Sequence, residues 1–396
     1  MNQFRTLASL ALATSASLHA PASAQSDDVD IIVQTDTRLR YEFAETAAQP
    51  EIGEALTLRV RTSVEVNPID GLSLLAEGEA IGSILPDSRN GFVSGSMRPG
   101  IADEETVELN RLQLEFAPND QIGLVVGRQR ISIDDERFIG VVDFRQNQQT
   151  YDAVTASLQG PADIVLRAGY IWRVGRVLGG DQPDGVFDSD SFYLNAALPL
   201  PFGQVSAYHY NLDLDDRVSA PIRSRTTGVS LRGRAFPGDF GIFYEGGYSV
   251  QESTGAKPEY FRAAVRVERG ELALSSKYEL LGSDQGIAFQ TPLATLHRFQ
   301  GAADLFLVTP PDGIEDLELK GTWRIGSLGA LRGTSVAVQY NSYWPAEGPG
   351  RYGEEWGGEL GVTLASTRLS VAASHFDSAG FASDTTRVWL TMARKF

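Results

Sequence analysis

Alternation of apolar and charged residues, repeated in segment after segment, limits the fold of this sequence more than any other feature. Val33, Thr35, Thr37, Leu39, Tyr41 and Phe43 are apolar or lipid-compatible, while Gln34, Asp36, Arg38, Arg40 and Glu42 fill the positions between them. Leu56, Leu58, Val60, Val64 and Val66 alternate in the same way with Thr57, Arg59, Arg61, Ser63 and Glu65. Two more segments show the pattern: Ile164, Leu166, Ala168, Tyr170 and Trp172 against Arg167 and Arg173, and Leu317, Leu319, Trp323 and Ile325 against Glu318, Lys320 and Arg324. A repeat of two sends successive side chains to opposite faces of a strand, so each segment has one greasy and one charged face. Beyond residue 24 no run of 18 apolar residues exists, which excludes a membrane-spanning helix but not a membrane-spanning barrel.

The connections alternate in length. Turn formers cluster at 67–71, 117–120, 160–163, 199–203, 236–239 and 268–270, while longer links are expected at 86–105, 134–149, 174–190, 213–224 and 282–315. Short turns on one rim and long loops on the other belong to transmembrane barrels. The expected fold is therefore all-β: a transmembrane antiparallel up-and-down β-barrel of about 18 strands, with both termini on the short-turn side. At Leu109 to Leu112 the apolar phase slips by one, as a bulge would make it. Alternation assigns no face to Gly127, Arg128, Gln129 and Arg130.

A large soluble sandwich or propeller also alternates, so the two ends of the sequence carry the distinction. Residues 1–24 read as a secretory signal peptide, with Arg5, an apolar stretch from Leu7 to Leu18 and Ala22-Ser23-Ala24 as the cleavage pattern. That leaves 25–396 as the single barrel domain. The last segment places Thr386, Val388, Leu390, Met392, Arg394 and the terminal Phe396 on one face. A C-terminal aromatic of this kind resembles the signal read by the barrel-assembly machinery, so the expected location is the outer membrane of a Gram-negative bacterium, among its lipid and lipopolysaccharide. Tyr41, Phe43, Phe116, Phe192, Trp323 and Trp389 are expected in the interfacial girdles.

Several kinds of chemistry are excluded. Cysteine is absent, which removes disulfides and thiolate metal sites, and a net charge of −17 argues against a nucleic-acid partner. No nucleophile-elbow, zinc-protease or P-loop motif is present, and His209, His297 and His375 are scattered, so an enzyme is not expected. Asp188, Asp190, Asp213, Asp215 and Asp216 read as solvated loop tips, with a divalent cation bridging to lipopolysaccharide as the sharper alternative; no other cofactor is expected.

What remains is a row of arginines on the charged faces. Arg38, Arg40, Arg59, Arg61, Arg167, Arg173, Arg232, Arg234, Arg262, Arg266 and Arg324 are interleaved with Glu42, Glu65, Glu77, Glu79, Glu245, Glu268, Glu279 and Glu318. Lys257, Lys277, Lys320 and Lys395 are the only lysines, so the positive charge is nearly all guanidinium. An arginine facing lipid near the midplane costs about 2–4 kcal/mol, which assigns these to the lumen. An arginine-lined channel favours anions, whereas Arg–Glu pairing across strands would neutralise the wall and brace it.

Two blocks carry a family resemblance. One runs through Gly127-Arg128-Gln129, Arg137-Phe138-Ile139-Gly140, Phe144-Arg145-Gln146-Asn147 and Thr150-Tyr151-Asp152-Ala153. The other is Phe289 to Phe299, with Gly301, Asp304, Phe306, Thr309-Pro310 and Gly313 to Leu317. They resemble the alginate-export family of outer-membrane porins, with a departure at Ala302, where tryptophan is expected. The resemblance implies a monomeric 18-stranded porin passing an anionic polyuronate. It implies lumen or constriction roles for Arg128, Arg130, Arg137 and Arg145, and a second loop, marked by Pro292, Thr295, His297 and Asp304, folded over or into the pore. The expected function is passive conduction of an anionic oligo- or polysaccharide. A general small-solute porin, or a structural or adhesive barrel with a charge-paired closed lumen, is the alternative.

Overall fold

The computed structural model describes residues 30–85, 96–216 and 222–396. The expected signal peptide at 1–24 lies outside these residues, as do 86–95 and 217–221 of two expected loops. The chain is built from β1 (Asp30–Thr46), β2 (Gly53–Ile69), β3 (Leu72–Ser83), β4 (Thr106–Asn119), β5 (Ile122–Gln129), β6 (Thr150–Gln159), β7 (Val165–Gly175), β8 (Val186–Leu200), β9 (Gly203–Asp216) and β10 (Ile222–Ala235). It continues through β11 (Gly241–Glu252), β12 (Glu259–Arg269), β13 (Leu272–Leu281), the small hairpin β14 (Ser283–Asp284) and β15 (Ile287–Ala288), then β16 (Ile314–Leu328), β17 (Leu331–Trp344), β18 (Gly353–Leu364), β19 (Thr367–Ser378) and β20 (Thr385–Lys395).

All except the β14–β15 hairpin join one antiparallel sheet of 18 strands. β1 pairs with β2 on one side and β20 on the other, which closes the sheet into a barrel without edges. At the seam the Phe396 N–H donates to the Thr35 carbonyl at 2.8 Å, and the Thr35 N–H donates back at 3.3 Å.

Register converts the sequence alternation into two surfaces. Leu39 lies opposite Leu58 and Met392 in an outward row, while Arg40 lies opposite Thr57 and Thr391 in the next, inward one. Leu74, Leu114, Leu124, Leu274, Leu319 and Leu390 are exposed on the outside. A closed antiparallel sheet with an apolar outer band is the architecture of an outer-membrane barrel. Tight connections such as 70–71, 201–202, 270–271 and 365–366 lie on the rim with the termini, and the long ones, 130–149 and 282–313 among them, lie on the other.

The expected phase slip is a bulge. Glu77 lies opposite Arg111 but Gly78 lies opposite Leu109, so Asn110 is the extra residue and both Leu109 (45% exposed) and Leu112 (47%) face outward. Two expectations need correction. Asp188, Asp190, Asp213, Asp215 and Asp216 are not on loop tips, because pairing carries β8 and β9 out to Val186 and Asp216. Trp389 is not a girdle residue: it lies opposite Glu42 in an inward row and is 2% exposed.

Candidate functional site

Several inward positions on the walls are apolar, and this brings the two long loops into the barrel. Ile131, Ile133, Ile139 and Leu293 pack against Tyr151, Ile171, Tyr208 and Tyr210 of the wall. Phe289 and Phe306 pack against Tyr260, Tyr343, Tyr352 and Phe376. Phe138 touches both groups, so segments 130–149 and 282–313 form a second core within the lumen.

Polar contacts fix the loops to each other. The Gly140 N–H donates to the Leu293 carbonyl at 2.9 Å, immediately after Pro292, and the Thr295 hydroxyl donates to Glu136 Oε2 at 2.5 Å. His297 Nδ1 lies 2.8 Å from Asp304 Oδ1, and its ring stacks on Phe144 with centroids 3.3 Å apart. Arg145 donates to the other Asp304 oxygen at 2.5 Å and to Glu42 of β1 at 3.0 Å. Burial by itself would raise the Asp304 carboxyl, but His297, Arg145 and Arg387 hold it well below the usual carboxylate range. Arg137 is wholly enclosed, donating to Glu279 at 2.8 Å, Thr291 at 2.9 Å and Gln300 at 3.4 Å.

The wall of β1 to β4 carries the arginine row. Arg38 donates to the carbonyls of Asp143, Phe144 and Arg145 at 3.0, 3.3 and 3.1 Å, and Arg59 donates to the Gln146 carbonyl at 3.2 Å and to Asp36. Arg40 lies 4.3 Å above the Phe144 ring. These three seat the 143–146 segment on the wall. Beyond them Arg61, Arg111 and Arg130 converge on the single carboxylate of Glu77, at 3.7, 2.5 and 2.8 Å. Glu79 takes a second contact from Arg61, whose Nε donates at 2.6 Å. Arg130 remains 31% exposed. Burial first, opposed by Glu77 and reinforced by the like charges of Arg111 and Arg61, pushes its guanidinium down to about 10. Three guanidiniums share the carboxylate of Glu77, with Glu79 as a second acceptor for Arg61, so their N–H donors outnumber the oxygens that accept them.

The other predicted arginines divide into three groups. Arg167, Arg232, Arg234, Arg262, Arg266 and Arg324 occupy inward rows; Arg262 pairs with Asp135 and, at 2.8 Å, with Glu245, and Arg324 lies 2.7 Å from Glu268. Arg137 and Arg145 sit inside the loop core with their donors taken by protein acceptors, so they brace the loops rather than face a passing solute. Arg128 and Arg173 are corrections, because both face outward. Arg128 shares its row with Leu112 and grips Asp152 with two bonds, at 2.6 and 2.9 Å. Bulges on both sides of β7 rotate Arg173 out, opposite Asp152 and Asp188. At the long-loop end of the barrel such side chains reach the headgroup layer.

Sequence reasoning missed Arg111 and Arg387. The β4 bulge hid Arg111, whose inward position cannot be counted from Leu109. Arg387, which donates to Glu42 at 2.9 Å and to the Ala303 carbonyl at 3.0 Å, was legible from its place beside outward Val388.

No family model matches the chain, and no curated protein does. The two blocks that resemble the alginate-export family contain the paired inward loops; the similar solved structures support an outer-membrane porin fold and do not support that family in particular. Pseudomonas aeruginosa OccK9 (OpdG) is 16% identical with a TM-score of 0.74, over 93% of this chain and 98% of that one. OpdK of the same organism, in a structure with vanillate, is 15% identical with a TM-score of 0.71, over 92% and 98%. Acinetobacter baumannii OccAB2 is 12% identical with a TM-score of 0.70, over 93% and 98%. The closed barrel and these likenesses give the chain the fold of the Occ and Opd outer-membrane porins.

Proposed function

We propose that the barrel conducts small carboxylate-bearing anions across the outer membrane by passive diffusion. The carrying observation is the convergence of Arg61, Arg111 and Arg130 on Glu77, with Arg130 open to the lumen. A guanidinium presents a planar fork that matches a carboxylate, and a solute held by shared donors is bound weakly enough to move on. The two loops fill part of the lumen with a packed core, which favours small solutes over a polyuronate chain. The structure of OpdK with vanillate, an aromatic carboxylate, supports the same solute class by analogy of fold. The test is the reversal potential of the purified protein in a planar bilayer under a potassium chloride gradient. Anion preference is expected; cation preference would sink the reading.

A further inference from the structure

Away from the Glu77 wall, on the rim that carries the tight turns, a cavity of about 880 Å³ opens between the β8–β9 turn and the inner faces of β10 to β13. Register puts Arg234, Phe243 and Arg266 side by side in one inward row across β10, β11 and β12. Arg266 lies 4.3 Å over the Phe243 ring, and Arg234 lies 5.9 Å over Phe236, which meets Phe243 edge-on with centroids 6.1 Å apart. Ala264, opposite Glu245 in the neighbouring row, leaves space beside the rings.

The charges here are not balanced as they are elsewhere on this wall. Glu245 is taken by Arg262, Glu318 by Lys277, and Glu268 by Arg324 at 2.7 Å with Arg266 at 3.4 Å. Among the described residues Arg232 and Arg234 make no ion pair. Phe243 and Phe236 are flanked by Arg234, which makes no ion pair among the described residues, and by Arg266, which shares the single carboxylate of Glu268 with Arg324; together they offer a stacking surface and guanidinium donors at a few ångströms' separation. General anion attraction needs only the charge and gives no reason for the rings.

From this we infer that the turn-side mouth holds a binding subsite for aromatic monocarboxylates, with Arg234 and Arg266 receiving the carboxylate and Phe243 with Phe236 the ring. The inference rests on the carboxylate-channel reading and adds a second site to it, remote from Glu77. A solute moving in either direction between the Glu77 wall and the short-turn rim passes this subsite.

The test is calorimetric titration of the detergent-solubilised full chain with benzoate and, separately, acetate, alongside the reversal potential in potassium chloride. Benzoate is expected to bind more tightly than acetate. Phe243→Leu should weaken benzoate about tenfold while leaving acetate within about twofold, and Arg234→Gln with Arg266→Gln should weaken both. Circular dichroism confirms the barrel in each variant, and Phe236→Leu supplies a second ring variant should Phe243→Leu not fold. Equal affinity for benzoate and acetate, or benzoate affinity indifferent to Phe243 and Phe236, overturns the subsite. Cation preference in the bilayer overturns the general reading instead, so the two failures are read on different instruments.

Discussion

Arg145 and Asp304 meet at 2.5 Å across 159 residues of sequence, each nearly enclosed, and this contact is where the two inward loops are locked together. Asp304 is held well below its ordinary range, against the effect of burial, by His297, Arg145 and Arg387. A depressed folded value means the stabilisation is complete above the unfolded value of about 3.9 and fades only as pH falls through the folded one. The lock should therefore stay ionised throughout mild acidification. Single-channel conductance of the wild type is expected to show no lock release between about pH 7 and pH 5. Asp304→Asn should give a larger, noisier conductance throughout that window. If the wild type climbs to the variant's conductance by pH 5, the lock is not what seats the loops.

Arg137 offers a test of stability rather than passage. Its guanidinium is enclosed among Glu279, Thr291 and Gln300, and Phe299 lies 4.6 Å beneath it. Removing one partner of such a pair strands the other charge, at a cost of about 3–5 kcal/mol. Arg137→Met should lower the urea midpoint accordingly. The double variant Arg137→Met with Glu279→Leu should lose much less than the two single changes together, since no charge is left unpaired. Additive losses would show that the two side chains act independently.

Gly301 is required by geometry at the turn where the second loop doubles back. Its φ is +80°, and a Cβ there would meet the Glu355 carboxylate and the Tyr343 hydroxyl. That carboxylate accepts the N–H groups of Ala302 and Ala303 at 2.6 and 3.1 Å, holding the loop to β18. The left-handed backbone alone costs an alanine about 1–2 kcal/mol, with the displaced carboxylate in addition. Gly301→Ala should lower the thermal midpoint and enlarge conductance together, because both report the seating of this loop. A wild-type midpoint would refute the assignment.

The barrel was legible because lipid imposes one rule on every outward position, and the rule can be counted two residues at a time. The slip between Leu109 and Leu112 announced the Asn110 bulge. The same counting places Trp389 inside, between Val388 and Leu390, where reading residue type ahead of phase puts it in a girdle; Arg128, to which alternation gives no face, is assigned to the lumen by resemblance alone and lies outside in the row of Leu112. Arg173 was different, since two bulges reset the phase within a few residues and leave no periodic trace. The loop arginines were legible only as a resemblance. Whether Arg137 faces a solute or Glu279 depends on a partner 142 residues away, which local pattern does not encode.

Glu77 separates a charged wall from a neutralised one. It is the shared acceptor of Arg61, Arg111 and Arg130, and Asn110 donates to it as well, at 2.6 Å. If the row attracts anions through surplus guanidinium charge, Glu77→Gln removes the one opposing charge that all three arginines share while preserving the shape of the acceptor. A unit charge acting over about 4 Å at water-like dielectric is worth about 1 kcal/mol, so the chloride-to-potassium permeability ratio should rise by up to roughly fivefold. Arg130→Gln should move the ratio the other way, and by less in high salt, because the exposed guanidinium is screened. A lumen closed by mutual pairing predicts otherwise: freeing three arginines from their acceptor would disturb the brace and admit ions of either sign, leaving the ratio near one. The sign and size of the shift in Glu77→Gln therefore decide between a conducting arginine row and a structural one.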